Sequence, residues 1–230
     1  MKDLYLDKNA KHVLISLSGG ADSSIIYYNI ANFYKNYDTK VHVFTYYGPL
    51  KPFIDFNAKR IIDRVTELTG FVPFKHHSFR DPTLTKGERY TEGQEYYKRR
   101  IFHEYPIEIH YSGITLNAPD QHFLDYHKTV KDPEQLKMLE HWFDNRPQDR
   151  SAPSMPIRRA GKLIVNFPFS NKDKHGVYQA YVDSNILEEL YPYTFSCESK
   201  FLKKGMVYKN NHCGVCYWCQ ERLVAFGKLK

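Results

Sequence analysis

The sequence predicts an α/β fold in which helices cover both faces of a parallel β-sheet. Short β-rich segments alternate with longer segments of helical periodicity through the first half of the chain, an order typical of parallel strands. A glycine pair, Gly19 and Gly20, stands between the first predicted strand and the first predicted helix, where the chain must turn sharply. The length of 230 residues suits one such domain with a small appendage.

The individual elements follow in chain order. The predicted strands are rich in β-branched and aromatic residues and lie at 11–17, 40–47, 71–77, 107–113 and 163–167. The predicted helices carry apolar residues at helical spacing and lie at about 24–36, 55–69, 92–105 and 174–189. Gly70 is a typical helix stop. Parallel strands end at one edge of the sheet, where ligands bind near the switch in strand order.

Residues 117–162 interrupt this alternation with five prolines and many charges. Within them, Asp132 to Asn145 is predicted as a helix, with an apolar face formed by Leu136, Leu139, Trp142 and Phe143. We interpret 117–162 as an insertion or lid over the site, or as a contact surface for a partner subunit.

Composition narrows the class of protein. The chain has 33 Lys and Arg against 26 Asp and Glu, a net charge of +7, which suits a polyanion such as ATP and also suits nucleic acid. The basic clusters at 98–100, 158–159 and 200–204 are equally compatible with a solvated surface. No run of 18 apolar residues and no apolar leader are present, so neither a membrane span nor secretion is expected. Four cysteines, three of them within 213–219, favour a reducing cytoplasm.

The segment Ser18-Gly19-Gly20-Ala21-Asp22-Ser23 is the strongest candidate ligand site. A glycine loop followed by a helix offers unpaired N–H groups and the positive end of the helix dipole to an anion, here the phosphates of a nucleotide. The fingerprints Gly-x-Gly-x-x-Gly and Gly-Lys-Ser/Thr are both missing, and the alternative is a simple connecting turn. The predicted nucleotide-binding residues are Ser16, Leu17, Ser18, Gly19, Gly20, Ala21, Asp22, Ser23 and Ser24, with Tyr46, Tyr111 and Gly113 as walls from later strand ends. Ordinary packing at the strand ends is an equally good interpretation of the two aromatic residues.

A second motif, Cys213-Gly214-Val215-Cys216-Tyr217-Trp218-Cys219, places three thiols around one centre. Cys197 supplies a fourth, and four thiolates form a closed tetrahedral site typical of structural Zn²⁺. An iron–sulfur cluster, unmetallated thiols and a reactive persulfide-carrying cysteine are the alternatives.

Ser-Gly-Gly-x-Asp-Ser resembles the PP-loop of the N-type ATP pyrophosphatases. Together with the ending from His212 to Phe226, it resembles the 7-cyano-7-deazaguanine (preQ0) synthase family. His110-Tyr111-Ser112-Gly113 is similar to that family's Asp-Tyr-Ser-Gly, and Phe167-Pro168-Phe169 with Lys172 and Lys174 is similar to its later strand-to-helix segment. The resemblance runs roughly end to end, but only the two terminal motifs are specific.

The resemblance implies a Rossmann-like fold of the adenine nucleotide alpha hydrolase type, with a PP-loop domain at 1–196 and a small zinc-binding segment at 197–230. It implies an ATP-dependent ligase that converts 7-carboxy-7-deazaguanine and ammonia to the nitrile through adenylated intermediates, releasing AMP and pyrophosphate. Asp22 would hold Mg²⁺, Lys172 or Lys174 would neutralise the α-phosphate, and Cys197, Cys213, Cys216 and Cys219 would bind Zn²⁺. A homodimer is also implied.

The chain departs from the family pattern in three places. Thr91 to Arg100 stands where the family has Pro-Gly-Arg-Asn, 15 residues separate the first and second cysteines, and 117–162 has no counterpart. These departures concern substrate recognition more than ATP handling. Two alternatives therefore stay open: a PP-loop enzyme that adenylates a base in tRNA or DNA, with nucleic acid as a partner, and a non-enzymatic zinc-bearing binding module.

Overall fold

A six-stranded, mostly parallel sheet forms the centre of the protein. The computed structural model describes residues 1–49, 51, 53–83, 88–117, 120–131, 133, 136, 137, 140, 157–197, 212–214 and 216–230. Its strands are β1 (His12–Ser16), β2 (Lys40–Tyr47), β3 (Lys75–Arg80), β4 (Ile109–Tyr111), β5 (Ile157–Ala160) and β6 (Leu163–Asn166). They lie in the order β3-β2-β1-β4-β6-β5. All neighbouring strands are parallel except β5, which pairs antiparallel with β6 at the edge. The order reverses between β1 and β4, which is the switch point of the sheet.

Helices cover both faces of this sheet, as the sequence predicts. They are α1 (Ala21–Tyr34), α2 (Ile54–Thr69), α3 (Glu88–Glu104), α4 (Asp120–Thr129), α5 (Lys174–Asp183), α6 (Leu187–Leu190) and α7 (Tyr217–Phe226), with a 3-10 turn at Tyr191–Tyr193. Alternate residues of β1 point to opposite faces. Val13 and Ile15 join the larger core with α1, α2 and α5, whereas Leu14 packs with Ile101 of α3. Across the described residues, none of the helices has the length and apolar character needed to cross a bilayer.

Several element bounds differ from the sequence prediction. The third strand lies at 75–80 rather than 71–77, because Pro73 lacks a donor and the ladder starts only after it. The helix predicted over 174–189 ends at Asp183, and Asn185 has a left-handed φ of 49° before α6 begins. The elements α4, β5 and α7 were not predicted. Most of the helix predicted over 132–145, and the basic cluster 200–204, lie outside the described residues.

A ladder of three histidines crosses the α3 face of the sheet. His12 Nδ1 lies 3.0 Å from His42 Nε2, and His42 Nδ1 lies 3.0 Å from His77 Nε2. The His42 and His77 rings stack on each other, and His42 packs between Tyr105 and Phe74, away from the loop that follows β1. Burial lowers the pKa of both His42 and His77 to about 4, and neighbouring positive groups add to the shift. The ladder is therefore neutral in the folded protein at pH 7.

We expect this ladder to make the protein acid-sensitive. The pKa of His42 and His77 is about 4 when folded, below the usual 6.5, so their contribution to stability is complete above pH 6.5 and is lost as the pH falls towards 4. Each shift corresponds to at most roughly 3 kcal/mol. Replacing His42 with Gln keeps a hydrogen-bonding group but removes the titration. Urea unfolding at several pH values should show a flatter dependence for His42→Gln between pH 6.5 and 4; an unchanged slope would exclude the ladder as the cause.

Candidate active site

The loop between β1 and α1 lies at the switch point of the sheet, and its backbone is specialised. Gly19 has a left-handed φ of 78°. A Cβ built on Gly19 would lie 2.6 Å from Asn57 Cβ and 2.7 Å from the Asn57 carbonyl carbon, so α2 leaves no room for a side chain. Conformation and close packing therefore both require glycine here.

The first turn of α1 is open to an anion. Its N-cap is Gly20, which has no side chain with which to cap the helix. The Ser24 N–H and Oγ donate to the Gly20 carbonyl at 3.1 and 2.7 Å. The three preceding N–H groups have no intrahelical acceptor, because an α-helix leaves its first donors unpaired. Ser18 Oγ and Ser23 Oγ lie 3.3 Å apart beside them. Backbone and hydroxyl donors thus converge where the helix dipole is positive.

The chain at the ends of β2 and β4 approaches this loop, but not every predicted wall residue faces it. A Cβ built on Gly113 would lie 3.0 Å from both Asp22 Cβ and Ser23 N, so the chain after β4 packs directly against the start of α1. The Tyr46 hydroxyl donates to Asp81 at 2.7 Å at the end of β2. The Tyr111 hydroxyl is buried in the core, where it donates to the Tyr5 carbonyl at 2.8 Å. Gly113 and Tyr46 lie at the predicted wall, while the Tyr111 side chain points away from it.

Two clefts flank the loop. The first has an empty volume of about 580 Å³ and combines positive and aromatic side chains; its lining is Ser18, Gly20, Asp22, Lys51, Phe53, Ile54, Lys174, Phe195, Ser196, Cys197 and Trp218. The second lies over the strand ends; its lining is Ser16, Leu17, Ser18, Ser23, Phe44, Tyr46, Ile54, Gln94, Lys98, Ser112 and Gly113. Ser18 and Ile54 border both clefts, so one extended ligand can contact the loop and enter each side.

A buried charge cluster lies at the floor of the first cleft. Lys174 Nζ is 2.7 and 2.8 Å from the two carboxylate oxygens of Asp22, and 3.3 Å from Glu221 Oε2. Burial opposes the charge of Lys174, but the two carboxylates outweigh it and raise its pKa. Burial raises the pKa of Glu221 to about 7 against the opposing effect of Lys174. Lys174 is therefore held as a buried cation beside the loop between β1 and α1.

The two predicted lysines have different surroundings. Lys172 Nζ lies 2.8 Å from Asp3 Oδ2. Lys172 is not part of the lining of either cleft. Asp173 between them caps α5, accepting from the N–H groups of His175 and Gly176 at 3.0 and 3.2 Å. This cap fixes the start of the helix, and Lys174 in its first turn is directed at Asp22.

The four cysteines come together at one point. Cys213 Sγ lies 3.9 Å from Cys219 Sγ, Cys216 Sγ lies 3.8 Å from Cys197 Sγ, and all four Sγ atoms fall within 4.8 Å of one another. Gly214 supplies a left-handed turn with φ of 75° between the first two cysteines of the motif. Mutual hydrogen bonding of the thiols raises the pKa of Cys216 and Cys219. Cysteines bind a metal ion as thiolates, so metal binding at this cluster would displace the thiol protons.

The segment that leads into Cys197 is hydrogen-bonded to the loop between β1 and α1. The Phe195 N–H donates to the Gly19 carbonyl at 2.8 Å, two residues before Cys197. Arg222 is fully buried; it donates to Thr194 Oγ1 at 2.9 Å and Ser196 Oγ at 3.3 Å, and it lies 4.2 Å over the Tyr191 ring. Helix α7 and the chain at 194–197 therefore form one unit against the loop.

Sequence reasoning missed several residues of this region. Glu221 and Arg222 lie in the terminal motif, but only the position of α7 shows that they face Lys174 and Thr194. Asn57 is buried against Gly19, and neither of its side-chain amide atoms has a hydrogen-bond partner among the described residues. No pattern in the sequence indicates Asn57, because its position depends on the packing of α2. The cleft residues Lys51, Phe53, Ser196 and Trp218 were likewise not predicted.

Of the comparisons with known proteins, the search of solved structures is the one that finds a likeness. No protein-family model matches this sequence. A search of curated proteins also finds no match. Among solved structures, the chain is similar to the U34-tRNA thiolase NcsA from Methanococcus maripaludis with its 4Fe-4S cluster, at 15% identity and a TM-score of 0.49, over 98% of this chain and 74% of that one.

Proposed function

We propose that this protein is an ATP-dependent enzyme of the PP-loop type, which cleaves ATP between the α- and β-phosphates and transfers AMP to a substrate oxygen. The observation that carries the proposal is the open first turn of α1 beside a buried Lys174. A site of this kind provides donors for a leaving pyrophosphate and a positive charge for the reacting α-phosphate.

Each group has a role that follows from its position. The N–H groups of residues 21–23 and the hydroxyls of Ser18 and Ser23 bind the β- and γ-phosphates, where negative charge grows as the bond breaks. Lys174 neutralises the α-phosphate. The Asp22 carboxylate, with the phosphates, would hold Mg²⁺, and the ion would supply further charge neutralisation there. Binding of Mg²⁺ by Asp22 requires the Asp22–Lys174 pair to open, and Glu221 then remains to hold the lysine.

The first cleft suits a flat, polar substrate. Phe53, Phe195 and Trp218 border it next to the loop. Lys51 and Lys174 also line this cleft. Aromatic side chains stack on heteroaromatic rings, and the lysines attract a carboxylate. We propose that 7-carboxy-7-deazaguanine binds in this cleft and attacks the α-phosphate through its carboxylate, forming an acyl adenylate and pyrophosphate. Ammonia then displaces AMP to form the amide. A second ATP adenylates the amide oxygen, and loss of AMP and a proton gives the nitrile.

We propose that the four cysteines bind one structural Zn²⁺. A tetrahedron with Zn–S bonds of about 2.3 Å has edges of roughly 3.8 Å. The Sγ–Sγ distances of 3.8 and 3.9 Å agree with these edges. In a 4Fe-4S cluster, each thiolate binds a different iron and the cysteine sulfurs are spread more widely. Four thiolates leave no open position, so this ion would hold α7 and Cys197 against the loop without entering the reaction.

A base in a nucleic acid is the second candidate substrate. One observation favours it: the edge strand β5 is exposed throughout and carries Arg158 and Arg159. Exposed arginines suit phosphate contacts along a polynucleotide. In that case the same ATP chemistry would adenylate a base of tRNA or DNA, and the first cleft would receive an extruded nucleotide.

Product analysis distinguishes these functions. The protein is incubated with ATP, Mg²⁺, ammonium and 7-carboxy-7-deazaguanine, and the products are identified by mass spectrometry. We expect the nitrile, AMP and pyrophosphate, and no amide or nitrile when ammonium is omitted. If no nitrile forms and pyrophosphate release requires tRNA or DNA, the substrate is a nucleic acid and not 7-carboxy-7-deazaguanine. No ATP turnover with any of these substrates, while metal stays bound to the cysteines, would overturn both and indicate a binding module.

A further inference from the structure

Three metal-ligating side chains meet at the start of α5, outside the roles described above. They are His122 of α4, Asp173 at the N-cap of α5, and His175 in its first turn. His122 Nδ1 lies 3.1 Å from Asp173 Oδ2, and His175 Nδ1 lies 3.5 Å from the same oxygen. The three ligand atoms all lie within 4.8 Å of one another. Both imidazoles thus present one nitrogen to one carboxylate oxygen.

The nitrogens at this point are buried without a hydrogen bond. Although each Nδ1 is close to Asp173 Oδ2, neither has hydrogen-bonding geometry with any group in the described part of the chain. Buried polar atoms normally form hydrogen bonds, so two buried nitrogens that face one carboxylate oxygen without a hydrogen bond need an explanation. The carboxylate itself is fixed, because its Oδ1 accepts from the His175 and Gly176 N–H groups. Such an outer contact orients a metal ligand.

We propose that His122, Asp173 and His175 form a second divalent-metal site, separate from the cysteine cluster, which binds Zn²⁺ or a similar borderline ion. Bonds of about 2.0–2.1 Å in a tetrahedron give ligand separations of roughly 3.3 Å. The two measured separations, 3.1 and 3.5 Å, lie on either side of this value. Two imidazoles and one carboxylate suit zinc and its transition-metal neighbours, whereas Mg²⁺ and Ca²⁺ prefer oxygen ligands. Three protein ligands leave the fourth position to water.

The site joins α4 to the catalytic region. His122 comes from α4, while Asp173 directly precedes Lys174. One and two turns further along the same face, Tyr126 and Val130 contact the cluster around Tyr217 of α7. A metal ion at this point would therefore fix α4 between α5 and α7, at the side of the first cleft. The ion would stabilise the packing of α4 on α5. Two of its ligands, Asp173 and His175, flank Lys174 in the sequence.

The chain offers a matched control for the test. His127 lies on the same helix with nearly the same side-chain exposure as His122, 38% against 37%, and it faces Glu140 instead. Wild type, His122→Ala, His175→Ala and His127→Ala are loaded with Zn²⁺ and desalted, and zinc per chain is measured by inductively coupled plasma mass spectrometry. Asp173→Asn adds a variant that keeps the helix cap but removes the carboxylate charge.

We expect His122→Ala, His175→Ala and Asp173→Asn each to bind one zinc fewer than wild type, and His127→Ala to match wild type. Zinc affinity at this site should fall by more than roughly 100-fold, since even an outer partner of a ligand is worth about 10- to 100-fold. After Co²⁺ substitution, the sulfur-to-cobalt charge-transfer absorption should be the same in all variants, because the cysteines are untouched. If all variants bind as much zinc as wild type and have the circular dichroism of wild type, the proposed site is wrong. His122 and His175 then only contact the Asp173 carboxylate.

Discussion

Replacing Lys174 with alanine is expected to lower the rate of pyrophosphate release from ATP by roughly 100- to 1,000-fold, the range for loss of one pre-organised group that stabilises the transition state. Lys174 is buried, and its Nζ lies 2.7 Å from Asp22 and 3.3 Å from Glu221 beside the loop between β1 and α1. Without it, the α-phosphate loses its nearest buried cation and two carboxylates face each other. The rate is measured with a coupled pyrophosphate assay at saturating ATP.

Lys172 provides the matched control. It lies two residues earlier, but its Nζ pairs with Asp3 at 2.8 Å. Lys172→Ala should retain turnover close to wild type. Since removing one partner from a buried charge cluster costs about 3–5 kcal/mol, thermal melting must show that Lys174→Ala is folded at the assay temperature. A folded Lys174→Ala protein with wild-type turnover, or equal losses in both variants, would remove Lys174 from the reaction.

The second large effect is expected at the cysteines. If the cysteines bind zinc as proposed, Cys216→Ala should no longer bind it and should lose much of the stability of α7, because binding of structural zinc supplies about 10–16 kcal/mol in small zinc-binding folds. Loosening 194–197 also releases the Phe195–Gly19 hydrogen bond of 2.8 Å, so turnover should fall with metal content. Metal per chain and the melting temperature are measured on the same preparations.

The control for this variant lies in the same C-terminal segment. Lys228 forms an exposed ion pair with Glu188 at 2.7 Å, and exposed pairs contribute about 0–1 kcal/mol. Lys228→Ala should keep its metal and melt near the wild-type temperature. A Cys216→Ala protein with full metal content and an unchanged melting temperature would show that the four thiols do not form one site.

Local patterns were sufficient to predict the parallel sheet and the sharp turn between β1 and α1. The alternation of strands and helices predicts the parallel sheet, and the position of Gly19 and Gly20 predicts the turn at the end of β1. The spacing of Cys213, Cys216 and Cys219 predicts that these thiols meet, because ligands with two residues between them lie within one turn. In each case the information lies in neighbouring residues.

Features that depend on packing between distant segments were not predictable. The spacing of Lys172 and Lys174 does not show which one reaches the loop, since the helix start is set by the Asp173 cap. Glu221 joins the charge cluster only because α7 packs on α5. All four residues of β5 are exposed at the sheet edge. Because neither face of this strand is buried, its sequence lacks the apolar alternation by which a strand can be predicted.

The bond broken in ATP tests the central claim most directly. The protein is incubated with ATP, Mg²⁺ and 7-carboxy-7-deazaguanine plus ammonium, or with tRNA or DNA, and the nucleotide products are separated by ion-exchange chromatography. An open helix N-terminus with Lys174 at the α-phosphate predicts AMP and pyrophosphate in equal amounts. Formation of ADP and phosphate with any of these substrates would contradict it.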